Sequence, residues 1–141
     1  MRTVRTSPPS FPDSAVNELL EVARNERWQV VCGDEGHWRC GVYSPSDASC
    51  EDVLELEWHN CPELFLLLSG RLVLVLCEEA VVRELELVPG KPVLVTAPHS
   101  GYCPDGPHDG AAFVVERDEF ETVYRSVDEW KTVQTAESSQ S

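Results

Sequence analysis

The sequence predicts an all-β protein, a barrel or sandwich of short strands with one helix near its N-terminus. Three observations carry this expectation. About nine short runs of apolar or alternating character are separated by turn residues at fairly regular spacing. One stretch alone repeats its apolar residues at helical spacing, and two runs are apolar on both faces, which calls for cover on both sides. A length of 141 residues suits one domain with a single core.

Residues 1–12, with Pro8, Pro9 and Pro12 and little to bury, read as a flexible arm, and the domain proper as residues 13–130. Val16, Leu19, Leu20 and Ala23 predict an amphipathic helix, capped by Asp13 or Ser14 and ending near Asn25, that covers one end or edge of the sheets. Trp28 to Cys32 and Trp38 to Tyr43 read as strands joined by the turn residues Gly33-Asp34-Glu35-Gly36, with His37 a solvated strand-end histidine. After a polar loop, Val53 to His59 alternates along part of its length as a two-faced strand. Leu64 to Leu68 and Leu72 to Cys77 are apolar on both sides, and a second subunit against the outer face, a homodimer, would account for this. Val81 to Val88 and Val93 to Ala97 are further strands, the latter delivering Pro98-His99-Ser100-Gly101 to its end. A proline-containing loop follows, then the strand Ala111 to Glu116 and a further run, Phe120 to Tyr124. Trp130 docks the polar end of the chain, and residues 131–141 read as a flexible tail.

Acidic residues outnumber basic ones 25 to 11, for a formal charge of −14. Phosphate backbones and anionic membranes repel such a chain, so no nucleic acid and no membrane partner is expected, and a small molecule fits better. No apolar run approaches the roughly 20 residues of a membrane span. Met1 to Pro12 lacks an apolar signal core, which predicts a cytoplasmic protein. The six cysteines include no CxxC pair, so most are expected to be small buried hydrophobes, and their even number leaves a disulfide open.

The chemistry concentrates in Glu57-Trp58-His59-Asn60-Cys61-Pro62-Glu63, followed by the Gly70 turn, and in Pro98-His99-Ser100. Residues two apart on a strand share a face, so Glu57 and His59 point the same way. The pattern of His59, Glu63 and Gly70 resembles the first motif of the cupin superfamily, and Gly90 with Pro98-His99 follows the order of the second. The resemblance covers roughly residues 50 to 117. It implies a single double-stranded β-helix, or jelly-roll barrel, that holds a divalent metal through His59, Glu63 and His99. Glu57 stands where that family has its first histidine, and becomes a fourth ligand if it binds. Cys103 and His108 in the adjoining loop are rivals to His99, and Cys61 and Cys103 could oxidise if exposed near iron.

A narrower set of pieces, Glu63-Leu64-Phe65, the Gly70 turn, Pro98-His99-Ser100 and Val114-Val115-Glu116-Arg117, is similar to 3-hydroxyanthranilate 3,4-dioxygenase. That likeness implies iron held by His59, Glu63 and His99, with Glu116 contacting substrate. Here the histidine-to-glutamate spacing is shorter, and Gly101, Tyr102 and Cys103 stand where that family has an arginine. Two imidazoles and one carboxylate leave positions open on a divalent ion, the arrangement of non-haem Fe(II) oxygenases. Fe(II) is the first choice of cofactor, with Mn(II), Ni(II) and Zn(II) as alternatives. The resulting expectation is a metal-binding cupin, a mononuclear iron dioxygenase-like enzyme acting on a small molecule. A non-catalytic cupin module that binds a ligand over a degenerate metal site is the alternative. A regulatory protein using its acidic surface would leave His59, Glu63 and His99 without a purpose. For Glu63, the competing role is a rim carboxylate paired with Arg71 or Arg83.

Overall fold

The structure is a computed structural model that describes residues 1–23 and 25–139. Its strands are β1 (Arg2–Thr6), β2 (Trp28–Asp34), β3 (Trp38–Tyr43), β4 (Glu55–His59), β5 (Glu63–Ser69), β6 (Val73–Glu78), β7 (Val81–Glu86), β8 (Val93–Val95), β9 (His99–Tyr102), β10 (Ala111–Arg117) and β11 (Phe120–Ser126). One helix, α1 (Val127–Ser139), follows them. The strands form two antiparallel sheets, of order β1-β11-β4-β9-β6-β7 and β2-β3-β10-β5-β8. The sequence predicts a barrel or sandwich; among the described residues the strands form two sheets and not a closed barrel.

Turn chemistry sets the hairpins. Glu79 and Ala80, both at positive φ, make the two-residue connection of β6 to β7. At Gly70 (φ +65°) a Cβ would lie 2.2 Å from the Asp109 carbonyl oxygen, so the turn requires glycine for both conformation and space. Between the sheets lies a core that includes Tyr43, Phe65, Leu74, Leu76, Val95 and Val114.

β6 is buried on both faces. Leu74 and Leu76 enter the core between the sheets, while Val75 and Cys77 pack with Val53, Leu56 and Trp130. Helix α1 of the same chain therefore supplies part of that cover. Trp130 is 7% exposed, and its indole N–H donates to the Leu56 carbonyl at 2.9 Å. Gln134 adds three bonds, donating to Cys77 O (2.9 Å) and accepting from Ala80 N (2.8 Å) and the Cys77 thiol (3.2 Å).

The helix is C-terminal and not N-terminal. Residues 13–23 carry no helix, with Asn17 at φ 64°, and Arg24 lies outside the described residues. Val16 and Leu19 are 78% and 97% exposed, so the helical spacing there has no apolar surface to meet. Ser14 does not cap a helix; its hydroxyl donates to Val31 O at 2.6 Å. The segments at the two ends of the chain carry secondary structure. Arg2–Thr6 pairs with β11 over five residues, and beyond it Ser10 N donates to Asp118 Oδ1 at 2.7 Å. Residues 131–139 continue α1, while 140 and 141 lie outside the described residues. All six cysteines are free thiols.

Candidate metal centre

His59 ends β4 in one sheet, and Glu63 opens β5 in the other. The three residues between them, Asn60-Cys61-Pro62, carry the chain across, so a spacing of four puts an imidazole and a carboxylate face to face. The corner is pinned by Asn60 N donating to Glu121 O (3.1 Å) and Glu121 N donating to the Asn60 side-chain oxygen (2.9 Å). β9 lies beside β4 with His99 opposite Glu57 in register. His99 thus begins a strand of its own. β10 brings Glu116 from the five-stranded sheet.

These side chains converge. His59 Nε2 lies 2.8 Å from Glu63 Oε1 and 3.4 Å from Glu57 Oε1; His99 Nε2 lies 3.0 Å and 3.9 Å from the same two oxygens. His59, Glu63 and His99 are 8%, 4% and 4% exposed, and Glu57 is half-buried. The outer ring nitrogens have their own partners, His59 Nδ1 with Thr122 Oγ1 at 2.7 Å and His99 Nδ1 donating to Ala97 O at 2.9 Å. That leaves both Nε2 atoms aimed inward, as ligating imidazoles are held. Glu63 Oε1 is buried without a hydrogen-bond partner, its close approaches to the rings lacking hydrogen-bond geometry. Glu57, His59 and His99 form one set of donor atoms close enough to share an ion, and His59, Glu63 and Glu116 another.

The electrostatics are those of a buried charge cluster. Burial works against the charged His59 ring, but Glu57 and Glu63 outweigh it and hold its pKa at about 10. His99 is raised for the same reason, against its own burial, chiefly by Glu63. Burial raises Glu63, yet the two imidazoles bring it well below the carboxylate range. Glu116 moves the other way, to about 8, because burial and then the charge of Glu63 oppose its ionisation more than Arg39 favours it. The Arg39 guanidinium contacts Glu116 Oε1 through Nε at 2.9 Å and Nη2 at 2.8 Å.

The other residues singled out in the sequence stand apart from this cluster. His108 Nδ1 contacts Ser44 O at 2.8 Å. Cys103 is fully buried, its thiol donating to Gly110 O at 3.4 Å, and burial raises its pKa and that of buried Cys61. Arg71 pairs with Glu86 and Asp105, and Arg83 with Glu78, so neither is the partner of Glu63.

The cluster forms part of the wall of a cavity of about 540 Å³ between the sheets. Its lining includes residues that sequence reasoning passed over: Arg27, Arg39, Tyr43, Phe120, Thr122 and Tyr124. Trp28, Tyr43 and Phe65 are spread over three strands, and no motif links them. Alternation along β3 is the one local signal, since Arg39 and Tyr43 are four apart and share a face.

No protein-family model matches the chain, and no curated protein is significantly similar to it in sequence. Solved structures do resemble it in fold. Hydroxypropylphosphonic acid epoxidase from S. wedmorenis superposes with a TM-score of 0.55 at 12% identity, covering 81% of this chain and 62% of the other. FeII HppE gives 0.53 at 13% identity, and CoII HppE in complex with Tris buffer 0.52 at 14%. They cover 76% and 78% of this chain and 62% of each of the others, so this chain spans about three fifths of their length. At these identities the likeness concerns the fold, which is cupin-like.

Proposed function

We propose that the chain is a mononuclear non-haem metal enzyme of dioxygenase-like type, with His59, Glu63 and His99 as metal ligands and Glu57 as a fourth. One observation carries this reading: a deeply buried carboxylate oxygen with no hydrogen-bond partner faces two imidazole nitrogens at 2.8 Å and 3.0 Å. A cation satisfies such an oxygen better than any group now beside it. Mixed imidazole and carboxylate donors suit Fe(II), with Mn(II), Ni(II) or Zn(II) as alternatives. Fe(II) in this set would supply open coordination positions and a redox couple.

The chain's own residues do the rest. Thr122 and Ala97 hold the two rings in orientation, and the buried Phe65, Val114 and Phe120 give the cavity an apolar stretch of wall. Glu116, with a carboxyl pushed up to about 8, can hold a proton beside Glu63 near neutral pH, a role close to the substrate contact that sequence resemblance implies. The structural neighbours include iron and cobalt forms of an epoxidase, which is in line with a divalent ion here. A soluble cytoplasmic protein acting on a small molecule completes the reading; among the described residues, no helix is long and apolar enough to cross a membrane.

A second reading has its own observation. Two carboxylates and two raised imidazoles neutralise one another without an ion, as a ligand-binding cupin with a degenerate metal site would. Elemental analysis of untagged protein separates the two. The enzyme reading expects about one iron per chain, lost in His59→Ala and in Glu63→Ala, together with oxygen uptake on catechol-like, aminophenol-like or thiol compounds. Native protein that takes up no metal under anaerobic Fe(II) loading would leave the binding-module reading standing.

A further inference from the structure

We propose that the cavity has an anion subsite, formed by Arg27 and Tyr43, that takes the carboxylate or phosphoryl group of a small, flat, apolar-bodied ligand. This deepens the small-molecule reading of the cavity and rests on it. The Tyr43 hydroxyl oxygen is buried and has no hydrogen-bond partner; the Ser100 hydroxyl stands near it, outside hydrogen-bond geometry. A buried hydroxyl without a partner is costly, and a ligand acceptor removes that cost.

The charge that would accompany it is Arg27. Its guanidinium donates to Ser100 Oγ at 3.2 Å and lies 5.6 Å from the centre of the Tyr43 ring. Arg2 and Arg39, the other cavity arginines, face Glu55 at 3.6 Å and Glu116 at 2.8 Å. No carboxylate pairs with Arg27 among the described residues. An arginine that is free to bind while its neighbours are neutralised is the place for a ligand oxyanion, in a chain whose net charge of −14 repels anions elsewhere.

The distance to the metal centre suits one small molecule. The Phe65 ring stands between, 6.1 Å from the Tyr43 ring and 5.6 Å from the His99 ring, both edge-on. Trp28, Phe65, Phe120 and Tyr124 line the same cavity, which favours a flat apolar body between the anchored anion and the donor end. In this arrangement Arg27 and Tyr43 are positioning residues, holding the ligand by its far end.

Calorimetric titration of the full chain tests this with benzoate, phenylphosphonate and neutral benzamide, before and after Fe(II) loading. Wild type is expected to bind one or both anions and to prefer them to benzamide. Arg27→Gln should weaken the preferred anion on the order of tenfold, and Tyr43→Phe by several-fold, with benzamide little changed. Arg27→Lys should restore part of the loss. Preference for benzoate identifies the group as a carboxylate, and preference for phenylphosphonate identifies it as phosphoryl. Equal anion binding by wild type and Arg27→Gln, or no anion binding at all, overturns the proposal. Circular dichroism checks that each variant is folded. Metal content, read separately in every variant, should stay at the wild-type level. Loss of anion binding with metal retained is thus distinguished from failure of the metal reading.

Discussion

Glu63 is held below the ordinary carboxylate range while Glu116 beside it is pushed up to about 8, although both are buried glutamates. Both lose hydration; Glu63 faces two imidazoles, whereas Glu116 faces the charge of Glu63 and one arginine. The metal-free protein should show this in its pH dependence. His59 is raised from 6.5 to about 10, so its stabilising contribution is complete below about 6.5 and is lost as pH rises through 10. Glu116 adds to the same slope, because its contribution present below 4.5 is lost as pH rises through about 8. Glu63, with its lowered pKa, contributes above 4.5 and loses that contribution as pH falls. Thermal melts of chelator-treated protein should therefore show the melting temperature falling from neutral pH towards pH 10, and His59→Gln should flatten the upper part of that fall. Metal binding should release protons near neutral pH, measurable as a buffer-dependent heat.

Two elements hold the site in place from outside it. Helix α1 begins with reciprocal bonds, Glu129 N donating to Ser126 Oγ and Ser126 N to Glu129 Oε1, both at 3.1 Å. This capping box seats Trp130 against Leu56, one residue before Glu57. Trp130→Ala should cost about 3–5 kcal/mol in denaturant unfolding, the usual range for deleting a buried tryptophan. The turn at Gly70 is the other. Gly70→Ala both forces a side chain into positive φ and drives a Cβ against backbone, so it should destabilise by at least about 1–3 kcal/mol in the same measurement.

At the scale of the whole molecule, the face of the five-stranded sheet away from the cavity is apolar. Leu64 pairs in register with Leu94 on one side and Val115 on the other, and the three are 38%, 66% and 41% exposed. Homodimerisation through this row remains a proposal, with a second copy covering the leucines that the first leaves open. Sedimentation velocity should then report a two-chain species that Leu94→Lys shifts to one chain; a single-chain species for wild type would remove the idea. The strong negative charge predicts that association weakens as ionic strength falls.

Most strand positions and turns were legible in the sequence because period-two alternation and Gly and Pro turns are local properties, while β1 and β9, which lie outside the strands the sequence predicts, were not. His59 and Glu63 could be singled out because a four-residue spacing across one tight corner is also local. The helix was misplaced because apolar periodicity states what could be buried and not what is there to bury it. Val16 and Leu19 have the pattern without a partner, while Trp130 finds a pocket over β6 from a largely polar segment. The signal that would have placed the helix, Ser126 followed three residues later by Glu129, was present but carries little weight without its hydrophobic contact. Tertiary structure alone decided that Glu116 meets Arg39 and Glu63, and that Arg27 and Tyr43 open onto the same cavity as His99. Those residues are distant in sequence, and their meeting depends on how the two sheets face each other, which no local pattern encodes.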